Sequence, residues 1–462
     1  MDLAPTLDID SVAPLLDRFF LMARPKVERL LRGWDPARGA PVFTAGGQYT
    51  TRGWTEWTQG FMYGAPLLLF EAGRDAALLE LGREGTYGNM VNHLTHCGVH
   101  DHGFNIVSTY GNLRRLILEG RIGAGAEELR LCETALRVSG AVQARRWTCV
   151  EGGGGFIHSF NGPHSLFCDT IRSCRSTALA HLLGQSLMSE GDRRINLLER
   201  TIDHLQTTLR YNVYYGEDRD AYDVPGRVAH ESLFNPTDGR YRCPSTQQGF
   251  APFSTWTRGL AWVIAGCAEQ LELFAALDDE AMPAGRTRGQ ILGQLDRAAR
   301  VTFEFYLAHS AADGIAPWDT AAPRLAELGD YAARPSDPYN RAEPYDSSAA
   351  AIAAQGFYRL GRHWARAGET GLGERARQAA LRIAMTLFSP PYVSEDPDHQ
   401  GLVLHSVYHR PNGWDRVPAG QTVPCGESSM WGDYHALELA VLLERERRGA
   451  EPFTFYQGAC RP

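Results

Sequence analysis

The feature that most constrains this 462-residue sequence is the rhythm of its connections. Apolar residues recur at helical spacing over 12–31, 54–71, 75–94, 104–119, 126–138, 166–187 and 192–211. Further helical stretches cover 256–274, 289–309, 347–365, 374–387 and 429–447. That is about a dozen helices, with no alternation of strand and helix. Some connections are short, as at 72–74 and 189–191. Others are long, polar and aromatic: 95–103, 147–164, 212–253, 310–346 and 388–428. Helical hairpins stacked in a ring put short turns at one end and long loops at the other. The expected fold is therefore all-α, an (α/α)6 barrel of about twelve helices with its long loops at one end, as a single domain over 1–462. An α-solenoid would call for a fixed-period repeat, and none is visible.

Composition narrows the class. The chain is 44% hydrophobic and 22% charged, with net charge −8 and pI near 6.0. No broad basic surface follows from that balance, which argues against nucleic acid or an anionic membrane as partner. Nine cysteines without CxxC spacing read as reduced thiols, and the expected location is cytoplasmic. Cys168 and Cys174 lie near His164 and His181, but without the paired spacing of a zinc site. Residues 1–10 are acidic and carry no apolar signal-like run, and no apolar run is read as reaching transmembrane length.

Loops on a rigid scaffold are where function concentrates. The stretch 247–262 sets Trp256, Arg258 and Trp262 beside a Gly/Pro-broken loop, with Ser254 as the expected N-cap of the next helix. Indole faces and a guanidinium suit a flat, polyhydroxylated, anionic ligand; the alternative is that both indoles are core. Asp101 lies in a His-rich loop just before a helix, either as an N-cap or as a functional acid. Asp169 comes after Leu166 and Phe167 in an apolar stretch, so it is either paired or raised in pKa, with Arg172 at i+3 as a candidate ion-pair partner. His230 with Gln248, and the run Gly426-Glu-Ser-Ser-Met-Trp-Gly-Asp-Tyr434, complete the polar stretches. Two carboxylates on separate loops are the usual equipment of glycoside chemistry. No nucleophile elbow is present, and Gly152 to Gly155 lacks the Lys-Ser/Thr of a phosphate loop.

These residues resemble the unsaturated glucuronyl hydrolases, glycoside hydrolase family 88, related to the unsaturated rhamnogalacturonyl hydrolases of family 105. The resemblance runs from about Trp54 to Glu438. Its marks are Trp57-Thr-Gln-Gly-Phe61, His100-Asp-His-Gly-Phe104, Asp169-Thr170, Gln248-Gly249, Ser254-Thr-Trp-Thr-Arg258-Gly259, Ala261-Trp262, Trp318-Asp319, Tyr345-Asp-Ser-Ser348 and Trp431-Gly-Asp-Tyr434. The resemblance implies an (α/α)6 barrel. It also implies removal of a 4,5-unsaturated uronic acid from the non-reducing end of an oligosaccharide, by hydration of its vinyl ether. Asp169 matches the family's acid/base aspartate and Asp101 its partner. Trp57, His100, Arg172, His230, Gln248, Trp256, Arg258 and Trp262 are the expected substrate contacts. No metal or organic cofactor is implied.

Protonating a carbon calls for a carboxylic acid held neutral, and the apolar flank of Asp169 is expected to raise its pKa more than the polar loop of Asp101. The loops 212–253 and 388–428 are expected to rim the pocket. Four departures from the family pattern, His102, the stretch 171–175, Phe160 and Leu260, bear on substrate identity. Other readings are a barrel glycosidase acting on a different modified or saturated sugar, and a non-catalytic sugar-binding protein. The second gives no reason for two acids.

Overall fold

The computed structural model describes residues 1–4, 6–53 and 56–458. Within them the chain runs through α1 Ile9–Gly33, α2 Gln59–Gly73 and α3 Ala76–Asn89. Helix α4 His102–Ile106 continues through a π turn, Val107–Gly111, into α5 Asn112–Leu118. Then come α6 Ala126–Arg145, α7 Thr170–Ser173 continuing as α8 Arg175–Leu182, α9 Leu197–Tyr211 and α10 Thr257–Ala276. The last four are α11 Arg288–His309, α12 Ser347–Arg366, α13 Thr370–Leu387 and α14 Met430–Arg447. With α4–α5 and α7–α8 each counted as one rod, the described residues form twelve.

Six rods make a closed inner ring. α2 packs on α4–α5, which packs on α7–α8, then α10, α12 and α14, and α14 returns to α2. The rods α1, α3, α6, α9, α11 and α13 pack outside them. This is the expected (α/α)6 barrel. The burial patterns reflect the two positions. Outer α1 buries one stripe, Val12, Leu16, Phe19, Ala23, Val27 and Leu30, at steps of three and four. Inner α10 is buried on nearly every residue. By length and composition α10 is long and apolar enough to cross a membrane, which corrects the reading that no run reaches that length. Its apolar surface is buried inside the barrel.

Glycines let the inner rods approach closely. A Cβ on Gly60 of α2 would lie 2.3 Å from the Asn105 carbonyl oxygen of α4, and one on Gly103 of α4 would lie 2.1 Å from that of Ser173. On Gly266 of α10 it would meet Ile171 Cγ2 at 2.7 Å, and on Gly356 of α12 it would meet Ile264 Cγ2 of α10 at 2.6 Å.

Every inner rod is entered through a long connection: 34–58, 90–101, 146–169, 212–256, 310–346 and 388–429. These six loops therefore gather over the N-terminal ends of the inner ring. Several carry small sheets. The first of them carries the hairpin β1 Pro41–Ala45 with β2 Gln48–Thr51. β3 Trp147–Cys149 pairs with β4 Gly155–Ile157, and β5 Ser165–Phe167 is the edge of a three-stranded sheet. The helix expected over 166–187 is shorter, because β6 Ser186–Met188 pairs with β7 Arg194–Asn196, and 189–191 is the tip of that hairpin. The 212–256 connection carries the hairpin β8 Glu231–Phe234 with β9 Tyr241–Ser245, which completes the β5–β8–β9 sheet. Trp54, the first residue of the expected second helix, lies outside the described residues.

Candidate active site

The starts of four inner rods, α2, α4–α5, α7–α8 and α10, supply part of one cavity. Asp101 immediately precedes α4, Asp169 precedes α7, and Trp256 precedes α10. The N-terminal ends of α4, α7 and α10 thus face the same space, a setting that favours an anionic ligand. Trp57, Phe104, Trp256 and Trp262 line it with aromatic surface, and His100, Asp101 and Asp169 supply its acid–base groups. Phe160 lines it from the 146–169 loop, and Gln247 and Gln248 come from the 212–256 loop. Tyr408, His409 and Trp414 come from the 388–429 loop. Both loops expected at the rim are therefore there.

The acids are buried and share a histidine. Asp101 is 5% exposed, Asp169 8% and His100 1%. His100 Nε2 lies 3.6 Å from Asp101 Oδ1 and 3.5 Å from Asp169 Oδ1. Asp101 occupies the N-cap position of α4, but its side chain makes no capping hydrogen bond. That leaves the carboxylate for the cavity.

The electrostatics reverse the expectation drawn from the flanking residues. Burial pushes the Asp101 carboxyl up to about 6; the charge of Asp169 adds to the rise and His100 opposes it. Burial also pushes Asp169 up, but His100, His230 and Arg258 outweigh it and hold the group below its ordinary value. An apolar flank in the chain did not reveal three cationic or imidazole neighbours from elsewhere in the fold. One consequence is measurable. A carboxyl raised from 3.8 to about 6 opposes folding once it ionises. The cost is absent at pH 4 and below and grows to roughly 3 kcal/mol as pH rises through 6. Asp101→Asn is therefore expected to melt above the parent at pH 7 and 8, with the gap closing near pH 4. A gap independent of pH would contradict this assignment.

Arg258 spends both terminal nitrogens on the protein. Nη1 donates to Asp346 Oδ2 at 2.9 Å and to the Val407 carbonyl; Nη2 donates to Gln248 Oε1 at 3.1 Å and to the Tyr408 carbonyl at 2.8 Å. The guanidinium expected to meet an anionic ligand is thus already engaged by the protein. Arg258 brings positive charge to the cavity wall, orients Gln248 and braces the 388–429 loop. His230 stands behind Trp256, with ring centroids 4.9 Å apart. Its Nδ1 accepts from the Gln247 N–H at 3.0 Å, and Nε2 has no partner among the described residues.

Arg172 does not pair with Asp169 and is not among the cavity-lining residues. Nε and Nη2 donate to Glu269 at 3.0 and 3.1 Å, and Nη2 also reaches Glu438 at 2.9 Å. Arg175 donates to Glu269 at 3.2 Å and to the Gly103 carbonyl at 2.9 Å. Both arginines of the unusual 171–175 stretch are thus neutralised inside the barrel. Ser254 is not the N-cap of α10, which is Trp256; its hydroxyl donates to Asp319 Oδ2 at 2.9 Å instead. Asp319 also accepts from the Phe250 N–H at 2.8 Å, so it pins the loop that carries Gln248. Asp433 does the same for the 388–429 loop, accepting from Tyr49, Leu402 and Val403.

Phe104, Tyr408, His409, Trp414 and Gln247 escaped the sequence reading as cavity residues. Phe104 ends a quoted motif and Gln247 opens the 247–262 stretch, while only the aromatic content of the 388–428 loop pointed toward the other three. Among the described residues no group of three or more His, Cys, Asp or Glu is placed to hold a metal ion.

An aromatic cavity with two buried acids, at the loop end of an (α/α)6 barrel, holds the groups that glycoside chemistry uses. No protein-family model matches the chain. It is 27% identical over 220 residues to an unsaturated glucuronyl hydrolase of Bacillus sp. (strain GL1), a match covering 47% of this chain and 46% of the relative. The chain thus spans about half the length of that relative. It is 23% identical over 401 residues to an unsaturated glucuronyl hydrolase of Formosa agariphila, covering 83% of this chain and 78% of the relative. The match to an unsaturated chondroitin disaccharide hydrolase of Streptococcus agalactiae is 21% over 397 residues, or 84% of this chain and 81% of that one. Among solved structures, the unsaturated glucuronyl hydrolase of Bacillus sp. GL1 superposes with TM-score 0.70 at 21% identity, covering 96% of this chain and all of that one. The Streptococcus agalactiae enzyme superposes with TM-score 0.66 at 20% identity, covering 97% and 94%. The chain is thus similar in sequence and in fold to unsaturated glucuronyl hydrolases.

Proposed function

We propose that this chain removes a 4,5-unsaturated uronic acid from the non-reducing end of an oligosaccharide by adding water across the vinyl ether. The observation that carries the reading is the pair of buried carboxylates reaching one imidazole inside an aromatic cavity. The buried Arg172, Glu269 and Glu438 fill the barrel below, so the cavity is closed there and suits a terminal sugar rather than a chain running through.

The chemistry assigns the roles. Asp169 gives a proton to C4, and positive charge develops at C5 and the ring oxygen. Ionised carboxylate beside that centre lowers its energy. Water adds at C5 and loses its proton to Asp101. The hemiketal then opens and the remaining saccharide leaves. The substrate carboxylate meets the positive helix ends and the charge of Arg258, while indoles stack on the ring. Arrival of that anion, with loss of water from the cavity, raises the proton affinity of both acids and so favours loading Asp169. Incubation with a panel of unsaturated disaccharides should bleach the ultraviolet band of the conjugated vinyl ether. Persistence of the band with every member of the panel would refute the reading.

Trp414 is the residue expected to select the sugar attached to the uronate. It packs on Tyr408 and His409, with centroids 5.3 and 4.8 Å away, and Arg52 lies 4.5 Å over its ring. Losing one stacked sugar face costs about 1 kcal/mol. Trp414→Ala is expected to raise KM severalfold for some disaccharides and not others, with kcat little changed. An identical change across the panel would assign Trp414 to the uronate itself or to loop structure.

A further inference from the structure

Asp169 must hold a proton in order to give one to C4, yet its neighbours keep it ionised in the free enzyme. The proton has to reach it from somewhere inside the closed site. His100 is placed to supply it. Its backbone carbonyl accepts from Ser173 Oγ at 2.7 Å and Gln143 Nε2 at 2.8 Å, which fixes the loop. Its ring stacks on Phe160, centroids 5.7 Å apart at 29°, and meets the edge of Phe167 at 5.6 Å and 86°. Neither ring nitrogen has a hydrogen-bond partner among the described residues, and Asp169 Oδ1 has none either. A fully buried imidazole with both nitrogens unpaired is costly unless function keeps it. The 3.5 and 3.6 Å gaps to the two acids lie just beyond hydrogen-bonding distance, so a tilt of about half an ångström brings Nε2 onto either one.

We propose that His100 is a proton relay: Nε2 carries a proton between Asp101 and Asp169, so the two acids share one proton supply. The relay rests on the proposed hydration reaction. In the first half of a turnover the Nε2–H bond of the imidazolium breaks as Asp169 Oδ1–H forms, and that proton goes on to C4. In the second half the adding water gives one proton to Asp101, which returns it to Nε2. C4 gains one proton and water loses one, so the site ends with the charge it began with.

The groups around the ring support its holding a proton. Burial favours the neutral imidazole, but Asp101 on its own loop and Asp169 on the 146–169 loop outweigh burial, and its pKa is raised. Arg146, at the end of α6, opposes them. His158 from beyond β4 and His204 from α9 are pushed down by burial to about 4 and about 3, so they stay neutral beside it. His230 is also lowered by burial, and Arg258 on α10 acts on the cluster through Asp169.

The test compares the parent with His100→Gln and His100→Asn on an unsaturated disaccharide that the parent turns over. The amides fill the site and hydrogen-bond but do not carry a proton near neutral pH. The expected result is a loss of kcat of about 10²-fold or more, with KM within threefold and the high-pH limb of the kcat profile moved to lower pH. The limb moves because the raised imidazolium no longer supplies the proton, and Asp169 must be loaded from solvent as a carboxyl. Unchanged kcat overturns the relay; so does a kcat loss with an unmoved pH profile, which marks a structural role. Should neither variant fold, a proton inventory on the parent decides: a bowed dependence of kcat on deuterium fraction is expected, and a linear one overturns it. Absence of turnover by the parent on every unsaturated disaccharide would instead refute the function on which the relay rests.

Discussion

Asp169→Asn is expected to abolish turnover while the protein stays folded. The amide keeps the shape of the carboxyl, but it has no acidic proton to give to C4. General acids supply about 10²–10⁴-fold, and protonating an alkene carbon without one lies at the severe end. Folding should survive for a specific reason. Asp169 Oδ1 has no hydrogen-bond partner among the described residues, and the side chain does not cap α7. The melting temperature should therefore stay within a few degrees of the parent, and binding of an unsaturated disaccharide should persist. Near-normal turnover by a folded Asp169→Asn enzyme would move the acid role to Asp101, whose carboxyl is the one raised to about 6.

Arg172→Met is expected to destabilise the barrel by about 3–5 kcal/mol. Removing one partner of a buried ion cluster leaves the others charged and desolvated, and that has this magnitude. Arg172, Glu269 and Glu438 are all essentially inaccessible to solvent, with side chains 0%, 3% and 0% exposed. Only Arg175 and Arg359 would then be left to offset the charge of the two glutamates. Adding Glu438→Gln to Arg172→Met should restore part of the loss, because it removes a carboxylate left without its cation. Activity should fall as well, since Arg172 lies 5.6 Å under the ring of Trp262, a wall of the cavity. A loss below 1 kcal/mol by denaturant titration would show that the cluster does not hold the inner ring together.

The barrel was legible because its signal is distributed. A dozen apolar stretches with alternating connections leave few ways to close a ring, and the boundaries can each be wrong by several residues without harm. The site was legible in part. Asp101, Asp169, His100, Trp57, Gln248, Trp256, Arg258 and Trp262 do converge on one cavity. What failed depended on contacts far apart in the chain. Arg172 lies three residues from Asp169, but the helix turns it toward Glu269 and Glu438, which come from α10 and α14. Ser254 has the chemistry of an N-cap, but Asp319, 65 positions away, takes its hydroxyl. The order of the two acids was misjudged because local apolarity is visible in a sequence, whereas His230 and Arg258 act on Asp169 across loops. Tyr408 and Trp414 carry no motif and were found only through the path of the 388–429 loop.

The central claim is that water adds to the vinyl ether and not to the anomeric carbon. Turnover of an unsaturated disaccharide in oxygen-18 water, trapped early by borohydride reduction, tests it most directly by mass spectrometry of the released uronate. The account predicts label on the carbon that was C5 and none on the anomeric carbon. Label on the anomeric carbon with the double bond intact would contradict it, and would make this barrel an ordinary displacing glycosidase.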